Sequence, residues 1–280
     1  MRKKLPLILT LLGGAVGFAL RKWQLTAGFE PDTRLPIPGA PSALLLVALS
    51  VVIAAGLLLL LWPGKGSAPA EVAFSAARDN TLYLTAAVLA GFLLLLSTGF
   101  ELFTFTSAYG AAGEDVNQVS RVASMVLPPL RILFCVVGLP CTLLWARKLY
   151  RGGDVREQLP LLELCLLFCL WLITDYQSRA ADPIIMDYVY EVFAIVCSLL
   201  GLYYLAGWSF QTGKPRRTIF FCLMGSYFSL VTLADAHTGA EMARLGFAVL
   251  FLTSHAALLL HRPAYTEDEN GAPDAETEAD

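Results

Sequence analysis

Polar and apolar residues are segregated along this chain rather than interleaved. Apolar runs alternate with short polar stretches, and the runs approach the ~20 residues that cross a ~30 Å hydrocarbon core at 1.5 Å rise per residue. Eight are present: Leu5–Trp23, Ala43–Trp62, Leu82–Phe103, Pro129–Tyr150, Leu159–Thr174, Pro183–Trp208, Thr218–Leu233 and Met242–Leu260. The fifth and seventh are short, a shortfall that an upright helix or local thinning of the bilayer absorbs. A soluble core hides one such run, not a series of them. The pattern predicts an all-α, polytopic transmembrane helical bundle of eight spans.

Composition agrees: 56% of residues are apolar and only 15% are charged, against about 25% charged in a soluble domain. The net charge of −3 conceals a division. Residues 265–280 hold seven acids and no Lys or Arg, and without them the chain carries 20 bases against 16 acids. So polar a segment cannot bury enough apolar surface to fold. The expected organisation is a helical bundle over 1–264 and a disordered acidic cytoplasmic tail over 265–280.

Basic residues set the orientation. With the N-terminus inside, thirteen fall on cytoplasmic segments (Arg2, Lys3, Lys4, Lys65, Arg78, Arg147, Lys148, Arg151, Arg156, Lys214, Arg216, Arg217, Arg262). Six fall outside (Arg21, Lys22, Arg34, Arg121, Arg179, Arg244). That bias follows the positive-inside rule and places both termini in the cytoplasm. Tryptophans mark the same boundaries. Trp62, Trp145 and Trp208 lie near inner span ends, and Trp23 and Trp171 near outer ones, where an amphipathic ring sits at headgroup level.

Met1-Arg2-Lys3-Lys4 before an apolar run is signal-like, but no small-x-small cleavage site follows, so the run reads as an uncleaved first span. Its Gly13, Gly14 and Gly17 suit close helix packing. Six cysteines (Cys135, Cys141, Cys165, Cys169, Cys197, Cys222) lie within apolar runs and read as small packing residues rather than a disulfide framework. Residues 115–127 place Val116, Val119, Val122 and Val126 at helical spacing. They suggest a short interfacial helix that Pro128-Pro129 interrupts. Pro140 predicts a kink. The first outer loop, Phe29-Glu30-Pro31-Asp32-Thr33-Arg34-Leu35-Pro36-Ile37-Pro38-Gly39-Ala40-Pro41, is stiffened by its prolines. This stretch resembles a segment after the first span of uncharacterised multi-pass membrane proteins of clostridial bacteria. The resemblance implies a bacterial plasma membrane and no activity.

Ionisable residues inside spans are the candidate functional groups of a membrane protein. Arg131 lies 16 residues from Arg147, Asp175 17 from Gln158, Glu191 17 from Trp208, Asp235 18 from Arg217 and Arg244 18 from Arg262. At 1.5 Å each, all lie about 24–27 Å from the inner boundary, and Glu101 shares that level. Glu101, Arg131, Asp175, Glu191, Asp235 and Arg244 thus form a candidate substrate-binding layer at the outer edge, with Arg179 and His237 nearby. Two readings stand. Either the helix ends reach lipid headgroups, or the charges line a vestibule that binds a polar solute or a partner subunit, with Arg131 and Glu191 paired across helices. Glu163, in the inner half, is expected to pair with Arg147, Lys148 or Arg151 by snorkelling. His255 is a candidate helix–helix hydrogen bonder.

No HExxH, GxSxG, GxxxxGK[ST] or GxGxxG occurs, so the sequence points to no catalytic residue, no metal site and no cofactor. The basic inner loops follow from topology and imply no nucleic-acid partner. The expected partners are the lipid bilayer and a membrane or cytoplasmic protein. Two functions fit: binding or transport of a small polar solute, as a permease or permease subunit, or a sensory or scaffolding subunit acting through a partner.

Overall fold

The computed structural model describes residues 4–30, 33, 35–61, 73–111, 118–152, 159–179, 184–210 and 213–261. The acidic segment 265–280 and Trp62 lie outside the described residues. Within them the chain forms eight long helices: α1 Leu5–Ala27, α2 Pro41–Leu61, α3 Thr81–Ala111, α4 Gln118–Arg151, α5 Leu159–Arg179, α6 Ile185–Ala206, α7 Pro215–Thr232 and α8 Gly239–His261. Single 3₁₀ turns occupy Ser75–Ala77 and Gly207–Phe210. Seven of the eight are long and apolar enough to cross a membrane; α7 is the exception. The all-α bundle read from the apolar runs is what the chain forms.

Consecutive helices from α3 to α8 pack side by side, and α8 returns to α3, closing a ring of six. Helix α1 packs on α7, and α2 lies outside, against α1 and α7. This arrangement explains why α7 needs so little hydropathy. No residue from Thr218 to Thr232 is exposed, so its surroundings are other helices rather than lipid. Close approach requires glycine in two places. A Cβ on Gly225 of α7 would sit 2.9 Å from the backbone nitrogen of Ser198 in α6. On α1, a Cβ at Gly13 or Gly14 would lie 2.5 Å from Ile53 or Leu230 respectively. The small face expected of the first span is therefore its contact with α2 and α7.

Two expectations about local structure are corrected. Helix α4 runs unbroken through Pro128, Pro129 and Pro140, so the prolines do not end an interfacial helix before the span begins. Pro128 and Pro129 leave the Ser124 and Met125 carbonyls without intrahelical donors. Both prolines lie in the first turn of the apolar stretch Val126–Arg151, where water or headgroups supply donors and make the continuation tolerable. The tryptophans also differ from the headgroup picture. Trp145, Trp171 and Trp208 are fully buried among helices, whereas Trp23 is exposed. Each buried ring has something to do there: the Trp208 indole donates to Thr218 Oγ1 at 3.1 Å, and Trp171 lies under the Arg244 guanidinium.

Candidate functional site

At the end of the bundle that holds the C-termini of α1, α3, α5 and α7, side chains from every helix but α2 join in one polar layer. Arg21 of α1 is wholly buried. Its Nε donates to Asp235 Oδ1 at 2.6 Å, Nη1 donates to Gln24 Oε1 at 2.9 Å and to the Met186 carbonyl at 3.1 Å, and Nη2 donates to the Asp187 carbonyl at 2.7 Å. The Tyr190 ring lies 5.0 Å from the guanidinium. Every face of the cation is therefore satisfied, the condition for keeping a charge out of water.

From Asp235 the layer continues through Thr232, whose hydroxyl donates to Asp235 Oδ2 at 2.8 Å. His237 Nε2 lies 2.7 Å from the Thr232 carbonyl, an acceptor only, so this nitrogen carries a proton. The other ring nitrogen, Nδ1, faces two carboxylates, 3.7 Å from Glu191 Oε1 and 3.7 Å from Glu241 Oε2. Burial disfavours a charged ring here, but the neighbouring carboxylates of Glu241, Glu191 and Asp235 outweigh it and raise His237 above the ordinary histidine value. Glu191 is held from its other oxygen: Arg179 Nη2 donates to Oε2 at 2.9 Å, and Arg179 Nε lies 3.8 Å from Asp175 one turn earlier. Glu241 accepts the Thr238 backbone N–H at 2.8 Å, and Thr238 Oγ1 accepts the Glu241 N–H in return, a capping box at the start of α8.

The remaining group is a carboxylate shared by two cations. Glu101 Oε1 accepts from Arg244 Nη1 and lies 2.6 Å from Arg131 Nε. Arg131 also donates to Thr174 Oγ1 at 2.9 Å, beside Asp175. Arg244 is 1% exposed, and its guanidinium lies 4.7 Å from the centre of the Trp171 ring.

All six residues singled out from the sequence thus lie in the layer; Glu101, Asp175, Glu191 and Arg244 are buried against other helices, and Arg131 and Asp235 are partly exposed. Their pairing differs from expectation. Arg131 does not meet Glu191; its partner is Glu101, and Glu191 pairs with Arg179, twelve residues earlier across the α5–α6 turn. Glu163 is also corrected. Both of its oxygens are buried between α4 and α5 without a hydrogen-bond partner, because its side chain turns into the bundle, near Gly138 and Leu164, instead of snorkelling toward Arg147, Lys148 or Arg151. His255 does bridge helices. Its Nε2 accepts from the Trp145 indole at 3.0 Å and lies 3.1 Å from the Tyr83 hydroxyl, while Nδ1 lies 2.7 Å from the Phe251 carbonyl.

Arg21 and Glu241 escaped the sequence reading. Arg21 counted only as a loop charge at a span end. Glu241 had a local signal, the Thr238-x-x-Glu241 spacing of a capping box. No metal-ligating set was expected either, yet Glu191, His237 and Glu241 converge, with one ligand atom from each inside 4.8 Å.

At the opposite end a cavity of about 490 Å³ opens between α1, α3 and α8. Its walls are mainly apolar, Leu7, Leu11 and Leu250 among them, with Lys4 and His261 also on its lining. It has no part in the polar layer. Comparison with protein families, with curated proteins and with solved structures finds no match to the chain. The fold itself defines the class: this is a multi-pass integral membrane protein, with a charged layer buried at one end of an apolar bundle.

Proposed function

We propose that the protein crosses the plasma membrane of a bacterium eight times, both termini in the cytoplasm, and binds a small cationic solute in its outer polar layer as a permease or permease subunit. One observation carries this reading. The layer holds the carboxylates of Glu101, Asp175, Glu191, Asp235 and Glu241 against the guanidiniums of Arg21, Arg131, Arg179 and Arg244. With a neutral His237 ring one negative charge is left over, and it falls where Glu191 and Glu241 face His237; protonation of that ring and capture of a cation are the two ways of neutralising it. A buried excess charge calls for a counter-ion. The bacterial membrane rests on the proline-rich segment alone, and the orientation on the basic loops.

The test uses the purified full-length protein in detergent, its thermal unfolding followed against inorganic cations and small organic amines. A cation that binds the folded state raises the transition by an amount that grows with the logarithm of its concentration over Kd, and uptake of that cation into proteoliposomes then separates transport from binding. A panel that leaves the transition unmoved overturns the reading. The alternative is a sensory or scaffolding subunit acting through a partner, favoured by the mutual pairing of most charges in the layer. Deleting residues 265–280 discriminates: transport survives the deletion, and tail-mediated signalling does not.

A further inference from the structure

We infer that Glu191, His237 and Glu241 form a binding site for a divalent transition-metal ion of the zinc, cobalt or manganese kind. The inference rests on the proposed cation-binding reading and names its ligand. The geometry is that of a held ligand set. His237 is fixed through Nε2 on the Thr232 carbonyl at 2.7 Å, the outer hydrogen bond that orients metal-binding imidazoles and leaves the second nitrogen to coordinate. That second nitrogen, Nδ1, is buried and has no hydrogen-bond partner. Its nearest polar neighbours are two carboxylate oxygens at 3.7 Å, too far for a hydrogen bond.

Glu191 repeats the arrangement. It is 1% exposed; Arg179 holds Oε2, and Oε1, the oxygen facing His237, is buried without a hydrogen-bond partner. Glu241 is fixed by the Thr238 N–H. Three groups are thus each anchored by a separate donor or acceptor and aimed at one point. An ion about 2.1 Å from each ligand atom would set neighbouring ligands about 3.4 Å apart in tetrahedral geometry. The two 3.7 Å separations from His237 need only a slight contraction, and the third, between the two carboxylates, lies within 4.8 Å.

The donor set decides the kind of ion. Imidazole with two carboxylates suits zinc and its first-row neighbours, whereas calcium and magnesium prefer oxygen alone. Three protein ligands also leave a fourth position open for water or a further ligand. The side chains of Arg179 and Glu241 are 32% and 26% exposed. An ion can therefore reach the site from the outer face, while Glu191 and His237 remain covered.

The experiment uses full-length protein purified without a polyhistidine tag, stripped with chelator and titrated with Co²⁺ by absorption and with Zn²⁺ by calorimetry. The expected result is one ion per chain. His237→Gln and Glu191→Gln weaken binding at least tenfold, while Glu163→Gln, outside the layer, leaves it unchanged. In a background whose six native cysteines are replaced by alanine, His237→Cys supplies a positive signal: a thiolate-to-cobalt charge-transfer band absent from the parent protein. Co²⁺ binding of equal strength in wild type and His237→Gln, or a His237→Cys protein that binds cobalt without the new band, overturns the assignment. If neither metal binds but another cation raises the unfolding transition, this inference fails and the broader reading stands. If no cation acts, both fall.

Discussion

Arg21 and Asp235, 214 positions apart, meet at 2.6 Å, and they tie the end of the first helix to the turn between the last two. Arg21 is wholly buried, and the Asp235 side chain is 11% exposed. Removing one partner of such a pair strands a charge, at a cost of about 3–5 kcal/mol. Arg21→Met is therefore expected to lower thermal stability far more than Lys22→Met, its neighbour, which reaches only the Ala234 carbonyl at 3.5 Å. Differential scanning fluorimetry of the two variants makes the comparison; equal small shifts would mean that the pair holds nothing.

Glu101 mediates between two cations, so its loss is expected to exceed the loss of either. In Glu101→Gln, Arg131 and Arg244 face each other without the carboxylate between them, a change of about 3 kcal/mol or more. Arg131→Ala is milder, because its side chain is 21% exposed and Arg244 remains to neutralise Glu101. The order to be measured by thermal unfolding is Glu101→Gln above Arg131→Ala.

Glycines separate packing from propensity. Gly225→Ala sets a methyl group against the α6 backbone at 2.9 Å, where nothing can rotate away; overpacking of this kind costs about 1–3 kcal/mol. Gly99→Ala meets nothing within 4 Å and should gain up to about 1 kcal/mol from helix propensity. The opposite signs are the test, read as unfolding temperatures of the two proteins side by side.

His255→Phe keeps much of the ring's volume and removes its acceptor. The Trp145 indole N–H is then left buried without a partner, a loss of about 1–3 kcal/mol. His255→Gln, which can present a carbonyl oxygen to Trp145, should recover part of it. A stability of His255→Phe equal to the wild type would show that packing alone matters at this point.

If α7 traverses the bilayer, reporters on its two flanks must lie on opposite sides. Cysteines introduced at the exposed positions Lys214 and Ala236 should label from the cytoplasmic and the outer face respectively with a membrane-impermeant maleimide in a cysteine-free background. Labelling of both from one side would reduce the crossings to seven.

The sequence carried the helices more readily than their neighbours. Apolar runs located the eight helices, seven of them because a membrane span needs only enough apolar residues in a row, and α7 although its apolarity falls short of one. Depth along a helix also placed Glu101, Arg131, Asp175, Glu191, Asp235 and Arg244 on one level, since rise per residue is fixed. Which charge meets which is a matter of helix order around the ring and of rotation about each axis, and neither is encoded in one run of sequence. Hence Arg131 was matched with Glu191 when α4 in fact sets it between α3 and α8. Trp145 and Trp171 were misplaced for the same reason: depth was legible, and the direction of the side chain was not.

Helix α7 has a consequence for how the protein is made. It begins with Arg216 and Arg217 and is the one long helix whose apolarity falls short of a membrane span, so lipid is a poor environment for it on its own. The helices that enclose it emerge from the ribosome at different times: α1, α2 and α6 before it, α8 after it. Insertion of α7 is therefore a late step, in which an incomplete shell of earlier helices receives a segment that would not partition into the bilayer alone. Only when α8 follows and closes against α3 does the shell become complete.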